Sequence, residues 1–128
     1  MRRWIVLIVL VVVALLLLRR PMAPVQVFAS DQERRSFLEM AGEPEDIALI
    51  ALVTEWCPAC KALEATLSEI GRPYAIVDIE RSEAGRMLFE RCARESGSRA
   101  VPKVVLGLEM MDAREAVARM RQGPAPHP

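Results

Sequence analysis

A seven-residue apolar run at residues 47–53 is the feature that most restricts the fold of this chain. It consists of Ile, Ala, Leu and Val and is bounded by polar residues on both sides. A strand without alternating polar residues is buried on both faces, as in a parallel sheet that helices cover. The segment that follows carries Leu63, Leu67 and Ile70 on one helical face and supplies such a helix. The run therefore predicts an α/β fold.

The rest of the chain alternates in the same way, and the predicted order is β-α-β-α-β-α-β-β-α. The predicted strands lie at residues 25–28, 47–53, 74–79, 103–106 and 108–110, and the helices start at Ser30 or Asp31, after Cys57, at Ser82 and at Asp112. Alternation implies right-handed crossovers and a parallel sheet, to which the final hairpin adds an antiparallel edge. The pattern predicts a three-layer sandwich.

The chain of 128 residues is long enough for one core and too short for two. We assign the domain to residues 25–122. Two prolines make residues 21–24 a tether, and three prolines predict that residues 123–128 form a disordered tail.

Residues 4–18 form an unbroken apolar run of 15 residues with an arginine pair at each end. As a helix the run is about 22 Å long against a hydrocarbon core of ~30 Å, and arginine side chains can reach the headgroups. We predict an uncleaved, single-pass transmembrane helix over residues 1–20 that contacts the membrane through residues 4–18. A cleaved signal peptide is the alternative, since residues 27–29 resemble a cleavage site. The flanking charges leave the orientation open.

Composition excludes several classes of function. The 17 basic residues balance 17 acidic ones, but four of the arginines flank the apolar run and the remaining chain is mildly acidic. A nucleic-acid partner is therefore not expected, because it would require a basic face. Three cysteines are too few for a disulfide scaffold. Cys92 and His127 are poor candidates to complete a zinc site around the other two cysteines, so no metal is predicted.

Cys57 and Cys60 lie where the buried strand gives way to the amphipathic helix. Cys57 falls at the N-cap and Pro58 at the first helical position, which tolerates a missing N–H. The free N–H groups and the helix dipole stabilise a thiolate on Cys57 and lower its pKa below the free value of ~8.5. Cys60, one turn later, can reach the same sulfur. This arrangement predicts attack of Cys57 on a disulfide and then attack of Cys60 on the mixed disulfide.

Over residues 25–121 the chain resembles the thioredoxin-like superfamily. Trp56 before the two cysteines resembles the thioredoxin active site, and Pro58 directly after the first cysteine resembles glutaredoxins. Val101 and Pro102, before a late strand, resemble the cis-proline loop of the family. The resemblance implies that Trp56, Pro58, Val101 and Pro102 contact the substrate and that the peptide bond before Pro102 is cis.

The sequence differs from both cytosolic subfamilies. Ala51 stands where thioredoxins have a buried aspartate, and Glu109, Met110 and Met111 stand where glutaredoxins carry paired glycines that bind glutathione. These differences favour a specialised member of the superfamily.

We therefore predict a membrane-tethered thiol–disulfide oxidoreductase with Cys57 as nucleophile and Cys60 as resolving thiol. The dithiol holds both electrons, so no cofactor is expected. The partners would be protein thiols or disulfides and an unidentified electron donor or acceptor. The anchor and the redox motif favour the periplasmic side, with the cytoplasmic face as the alternative. A copper chaperone and a non-catalytic adaptor with the same fold remain alternatives, and Cys92 is predicted to be a core residue.

Overall fold

A computed structural model of the chain describes residues 1–18 and 23–123. The elements are α1 (Arg2–Leu18), β1 (Val25–Gln26), α2 (Asp31–Met40), β2 (Leu49–Val53), α3 (Pro58–Ile70), β3 (Tyr74–Asp78), α4 (Glu83–Ser96), β4 (Lys103–Leu106), β5 (Glu109–Met111) and α5 (Ala113–Gln122). After α1, this is the predicted order of strands and helices.

Short side chains at the helix ends explain why the boundaries were predictable. Ser30 accepts a hydrogen bond from the backbone N–H of Glu33 at 3.3 Å, and Ser82 accepts one from Gly85 at 3.0 Å. Such N-caps satisfy N–H groups that have no partner inside the helix. Gly71 ends α3 with φ of 76°, a left-handed conformation that favours glycine. These signals act within a few residues of chain, so they can be read without knowing the tertiary fold.

The five strands form one sheet in the order β1-β5-β4-β2-β3. Only β2 and β3 are parallel, with Leu49 opposite Tyr74 and Val53 opposite Asp78. The other neighbouring strands are antiparallel. The prediction that β1 belongs to a parallel sheet is wrong, and so is the placement of the final hairpin at an edge. The two residues of β1 pair instead with the free side of β5. The prediction failed because alternation along the chain identifies strands without specifying their neighbours in the sheet.

The sheet separates two hydrophobic clusters, and β2 contributes to both. Ile50 and Leu52 face the cluster that contains residues of α2 and α4, whereas Leu49, Ala51 and Val53 face the cluster of α3 and α5. All five residues of β2 are buried, as the unbroken apolar run predicts. The α/β thioredoxin-like sandwich is therefore confirmed, with helices on both faces of the sheet.

The predicted transmembrane helix is wrong. The apolar run does form a helix, α1, but it has 17 residues and none of them is buried. Its length of about 25 Å is less than the ~30 Å of a bilayer core. Within residues 1–18 and 23–123, no helix has both the length and the apolar character needed to cross a membrane. The predicted membrane location, with the catalytic domain on the periplasmic side, depended on this helix and is therefore also wrong.

Several sequence predictions fall on other parts of the chain. The first two residues of the tether, residues 21–22, and residues 124–128 of the predicted tail lie outside the described residues. The domain limits of 25–122 stay a prediction.

Gly85 in α4 is expected to tolerate no side chain. A Cβ at this position would lie 2.5 Å from Cγ1 of Val77 on β3. Alanine normally stabilises a helix by about 1 kcal/mol relative to glycine. Overpacking costs about 1–3 kcal/mol, and a contact as short as 2.5 Å belongs in the upper part of that range, about 2–3 kcal/mol. We expect Gly85→Ala to lower the free energy of unfolding by about 1–2 kcal/mol in urea titrations. Adding Val77→Ala should recover at least about 1 kcal/mol relative to additivity. A Gly85→Ala protein as stable as the parent would contradict the close packing of α4 on β3.

Candidate active site

Cys57 caps the N-terminus of α3, as predicted. The loop after β2 delivers Cys57 in an extended conformation, with φ of −92° and ψ of 110°, and Pro58 follows in the first turn of the helix. The Cys57 sulfur accepts a hydrogen bond from the backbone N–H of Cys60 at 3.2 Å. The helix dipole and this N–H both favour negative charge on the sulfur.

Cys60 lies one turn further along α3, and both thiols are free and almost fully buried. Cys57 is 5% exposed and Cys60 is 3% exposed. Burial raises the pKa of the Cys60 thiol to about 11, and the hydrogen bond with Cys57 adds to this increase. Cys60 is therefore a protonated thiol near neutral pH. A Cys57 sulfur at the helix N-cap and a protonated Cys60 one turn later suit a mechanism with a nucleophile and a resolving cysteine.

The predicted cis-proline loop lies opposite Cys57. The peptide bond between Val101 and Pro102 is cis, as the resemblance implied. The Cys57 sulfur lies 3.8 Å from the carbonyl oxygen of Val101, to which the thiol donates. This contact arises because β4 runs beside β2 and pairs Lys103 with Leu52. Residues 44 positions apart in sequence thus form the two sides of one site.

Trp56 and Pro58 are on the surface next to the buried sulfur. Trp56 is 70% exposed, so its ring is a surface feature and does not form a buried cover over the cysteines. Pro58 is also exposed, while Val101 and Pro102 are half-buried. The four residues predicted to contact substrate therefore border the cysteines and leave side-chain surface available.

Two residues of the loop after β3 were missed by the sequence analysis. Glu80 accepts a hydrogen bond from the indole N–H of Trp56 at 2.7 Å, and Arg81 forms an ion pair of 2.5 Å with Glu55. The predicted parallel sheet carries only an indirect signal for them, which requires the strand order. Because β2 and β3 are parallel neighbours, the loops that follow them leave the sheet at the same edge.

Cys92 lies on the other side of the sheet from the two active-site thiols. It is fully buried in the cluster that contains Ile50 and Leu52, as predicted for a core residue, and burial raises the pKa of its thiol to about 11. Lys103 is buried nearby, donates to the Ser96 hydroxyl at 3.3 Å and has its pKa lowered by burial. Cys92 is thus a core residue on the opposite face of the sheet from the redox pair.

Within the part of the chain that the structure describes, no three His, Cys, Asp or Glu side chains are grouped as metal ligands would be. His127, one of the residues considered for a zinc site, lies outside that part.

Comparison with protein families agrees with this geometry. The glutaredoxin family model matches residues 49–111, which run from β2 to β5 and include both cysteines and the cis-proline loop. The match covers 63 of the 128 residues, just under half of the chain, and this part of the chain is similar to glutaredoxins. Cys57 and Cys60 fall within the match and have the CxxC spacing from which a thiol–disulfide oxidoreductase is predicted.

The individual proteins to which this chain is similar are distant in sequence. A glutaredoxin of Ricinus communis is 27% identical over 60 residues, which are 47% of this chain and 59% of the relative. Buckwheat glutaredoxin, solved in complex with glutathione, is 14% identical and has a TM-score of 0.50 over 72% of this chain and 86% of its own. Wheat glutaredoxin is 14% identical with a TM-score of 0.50, over 79% of this chain and its full length. These two likenesses show the thioredoxin-like fold alone.

Proposed function

We propose that this chain exchanges a dithiol for a disulfide with protein substrates. Cys57 is the nucleophile and Cys60 is the resolving thiol. Trp56, Pro58, Val101 and Pro102 contact the substrate polypeptide. The dithiol carries both electrons, so the reaction needs no cofactor.

The exchange proceeds in two balanced steps. The Cys57 thiolate attacks one sulfur of a substrate disulfide, forms a mixed disulfide and releases the other substrate sulfur as a thiolate that takes up a proton. Cys60 then loses its proton and attacks the Cys57 sulfur, which breaks the mixed disulfide and releases the second substrate thiol. The substrate gains two electrons and two protons, and Cys57 and Cys60 are left as a disulfide. The reverse sequence oxidises a substrate dithiol.

One observation carries the proposal: the Cys57 sulfur caps α3 and lies against the cis-proline loop. Its acceptance of the Cys60 N–H at 3.2 Å supports a stabilised thiolate. Its 3.8 Å approach to the Val101 carbonyl supports a substrate that extends along this loop. A cysteine pair kept only for packing would need neither contact.

The recycling partner is proposed to be a second thiol–disulfide couple. Glutathione is the couple seen with the buckwheat relative. Here Glu109, Met110 and Met111 form β5, and Met110 and Met111 are buried. We therefore infer that glutathione is not the preferred donor of this chain and that a protein dithiol restores the reduced pair. The direction of electron flow then depends on the reduction potential of the pair relative to that of its partner.

Ellman's reagent, a small aromatic disulfide, tests the two thiols separately. The reduced protein should release thionitrobenzoate in two phases. The rate of the first phase, the attack of Cys57 on the reagent, depends on the reagent concentration. The rate of the second phase does not, because Cys60 attacks the mixed disulfide within the same molecule. Since burial raises the pKa of Cys60 to about 11, its thiolate fraction increases with pH over the whole range below that value. The rate constant of the second phase should therefore rise roughly tenfold per pH unit between about pH 7 and 9.

Cys60→Ser is the matched control for this experiment. It should show the first phase only and retain one thionitrobenzoate on Cys57, which mass spectrometry detects. The assigned roles would be contradicted if the wild-type protein showed no second phase, or if the rate constant of its second phase did not change with pH.

A further inference from the structure

Helix α1 is an apolar surface that its own copy of the chain leaves uncovered. The large apolar side chains between Trp4 and Leu18 are 45–82% exposed, and no residue of the helix is buried. A helix that is apolar on all sides is normally buried against other groups. Large exposed apolar surfaces of this kind mark interaction sites.

A groove between α2 and α4, the α2–α4 groove, is a second uncovered apolar surface. Two cavities, of about 520 and about 170 Å³, lie along it and share Met40, Ala84 and Met87 in their walls. Its floor includes the buried side chains of Phe37 and Leu88. Its rim is apolar as well, since Met40 is 70% exposed and Met87 is 65% exposed.

The groove is long enough to hold most of α1. Its wall runs along α4 from Ser82 to Arg94, which is about 18 Å of helix, and α1 is about 25 Å long. A contact of this length and about 10 Å in width buries roughly 600–700 Å² over its two surfaces. Two such contacts bury about 1,200–1,400 Å², which is within the range of stable interfaces. An exchange of α1 between two copies therefore gives an interface of sufficient size.

The charge at one end of the groove is opposite to that at the start of α1. Glu83 lines the end where α4 begins, and Glu39 and Glu43 belong to the segment in which α2 ends beside it. Within residues 1–18 and 23–123, none of these three carboxylates forms an ion pair. Arg2 and Arg3 are exposed at the N-terminal end of α1, which also carries the partial positive charge of the helix dipole.

The other end of the groove is where the chain enters the domain. Phe28 and Arg91 line it, and Arg91 donates to the Val27 carbonyl oxygen at 2.9 Å. Val27 directly follows β1, and residues 19–24 join α1 to β1. A helix whose N-terminal end lies at the acidic end of the groove therefore has its C-terminal end on the side where the tether must start. The charges and the order of the chain require the same orientation.

We propose that the α2–α4 groove binds α1 of a second copy of this chain, with Arg2 and Arg3 at the acidic end, and that the second copy returns the contact. Met40 and Met87 stay exposed in a single copy that includes α1, so the chain's own helix does not fill the groove. The tether is short, and short hinges favour exchange of an element between copies.

This interface is separate from the exchange reaction. The floor of the groove belongs to the cluster on one face of the sheet, whereas Cys57 and Cys60 belong to the cluster on the other face. Variants of the groove should therefore leave the first thionitrobenzoate phase and the far-ultraviolet ellipticity unchanged, which shows that they are folded.

Sedimentation equilibrium of the full chain in detergent-free buffer measures the association, and we expect a dimer. Rim methionines are flexible, and truncating one removes little contact, so the variants change charge instead. Arg2→Glu with Arg3→Glu places like charges together in both contacts, and so does Glu39→Arg with Glu83→Arg. Each double variant should raise the dimer Kd at least about tenfold at low salt, and by less at high salt.

Mixing the two double variants distinguishes contacts between copies from contacts within one copy. In the mixed dimer each α1 again meets a groove end of opposite charge, so its Kd should return to within about threefold of the parent value. Arg114→Glu with Arg121→Glu, two exposed arginines of α5, is the matched control and should keep the parent Kd. Ala84→Glu places a carboxylate in the apolar middle of the groove and should raise the Kd at least about tenfold.

Three results would overturn the proposal. The first is a parent chain that stays monomeric at about 100 μM, far above the Kd of a stable interface. The second is a mixture that associates no better than either double variant alone, because α1 would then contact its own groove or another surface. The third is a monomer whose α1 binds phosphatidylcholine vesicles, because lipid would then cover the helix. The exchange function stands in each case, since Ellman's reagent tests it separately.

Discussion

Replacing Cys57 with serine is expected to reduce exchange with protein disulfides at least about a hundredfold. Serine cannot form a disulfide, and its hydroxyl is not ionised near neutral pH. Cys60 cannot take over the first step, because burial raises its pKa to about 11 and keeps it protonated near neutral pH. The measurement is the initial rate of reduction of a protein disulfide by the reduced protein, with free thiols counted before and after.

Cys92→Ala is the matched control for the loss of a thiol. Cys92 lies in the cluster on the other face of the sheet, so this variant should retain most of the exchange rate even if it lowers the melting temperature. More than a tenth of the parent rate in Cys57→Ser would show that the nucleophile has been assigned to the wrong sulfur.

Truncation of Leu52 to alanine is expected to lower the free energy of unfolding by about 2–5 kcal/mol. Leu52 is fully buried, and its strand is hydrogen-bonded on both sides, to β3 and to β4. The cavity cannot close easily, because β2 is held between two neighbours. Urea unfolding followed by circular dichroism measures the change, which shows as a lower midpoint at an unchanged slope.

Met87→Ala provides the comparison for an exposed site. Met87 is 65% exposed on α4, so losing its side chain should change stability by less than about 0.5 kcal/mol. If the two variants unfold at the same denaturant concentration, Leu52 does not have the central packing role that its burial indicates.

The chemistry of the site was predictable because its main parts are neighbours in sequence. A buried strand, an N-cap cysteine, a proline at the start of the helix and a second cysteine one turn later lie within a dozen residues. Helix geometry alone then places the Cys57 sulfur against the N–H of Cys60. The burial that raises the pKa of Cys60 was not predictable in the same way, since it depends on the packing of α3 into a cluster with residues of the sheet and of α5.

The connection between Trp56 and Glu80 shows where sequence reasoning stopped. The two residues are 24 positions apart, and nothing near either residue indicates the other. Their contact follows from the parallel pairing of β2 with β3, which brings both following loops to one edge of the sheet. Predicting the contact would have required the strand order first.

The N-terminal apolar run and β1 illustrate two further limits. Apolar composition predicts a helix at residues 4–18, and α1 is one, but its 17 residues do not satisfy the length of a membrane span. Alternation predicts a strand at β1, and it exists, but as an antiparallel neighbour of β5. In both cases the element was predictable from local composition, and its surroundings were not.

The sequence by itself determined the order of helices and strands, their capped ends and the position of Cys57 at the start of α3. These properties depend on hydrophobic periodicity and on hydrogen bonds within one helical turn. Only the tertiary structure decided the neighbours of each strand, the contact between Val101 and Cys57 and the hydrogen bond between Trp56 and Glu80. The physical reason is that these contacts join distant parts of the chain, and packing of the whole sheet selects among many pairings that local preferences allow equally.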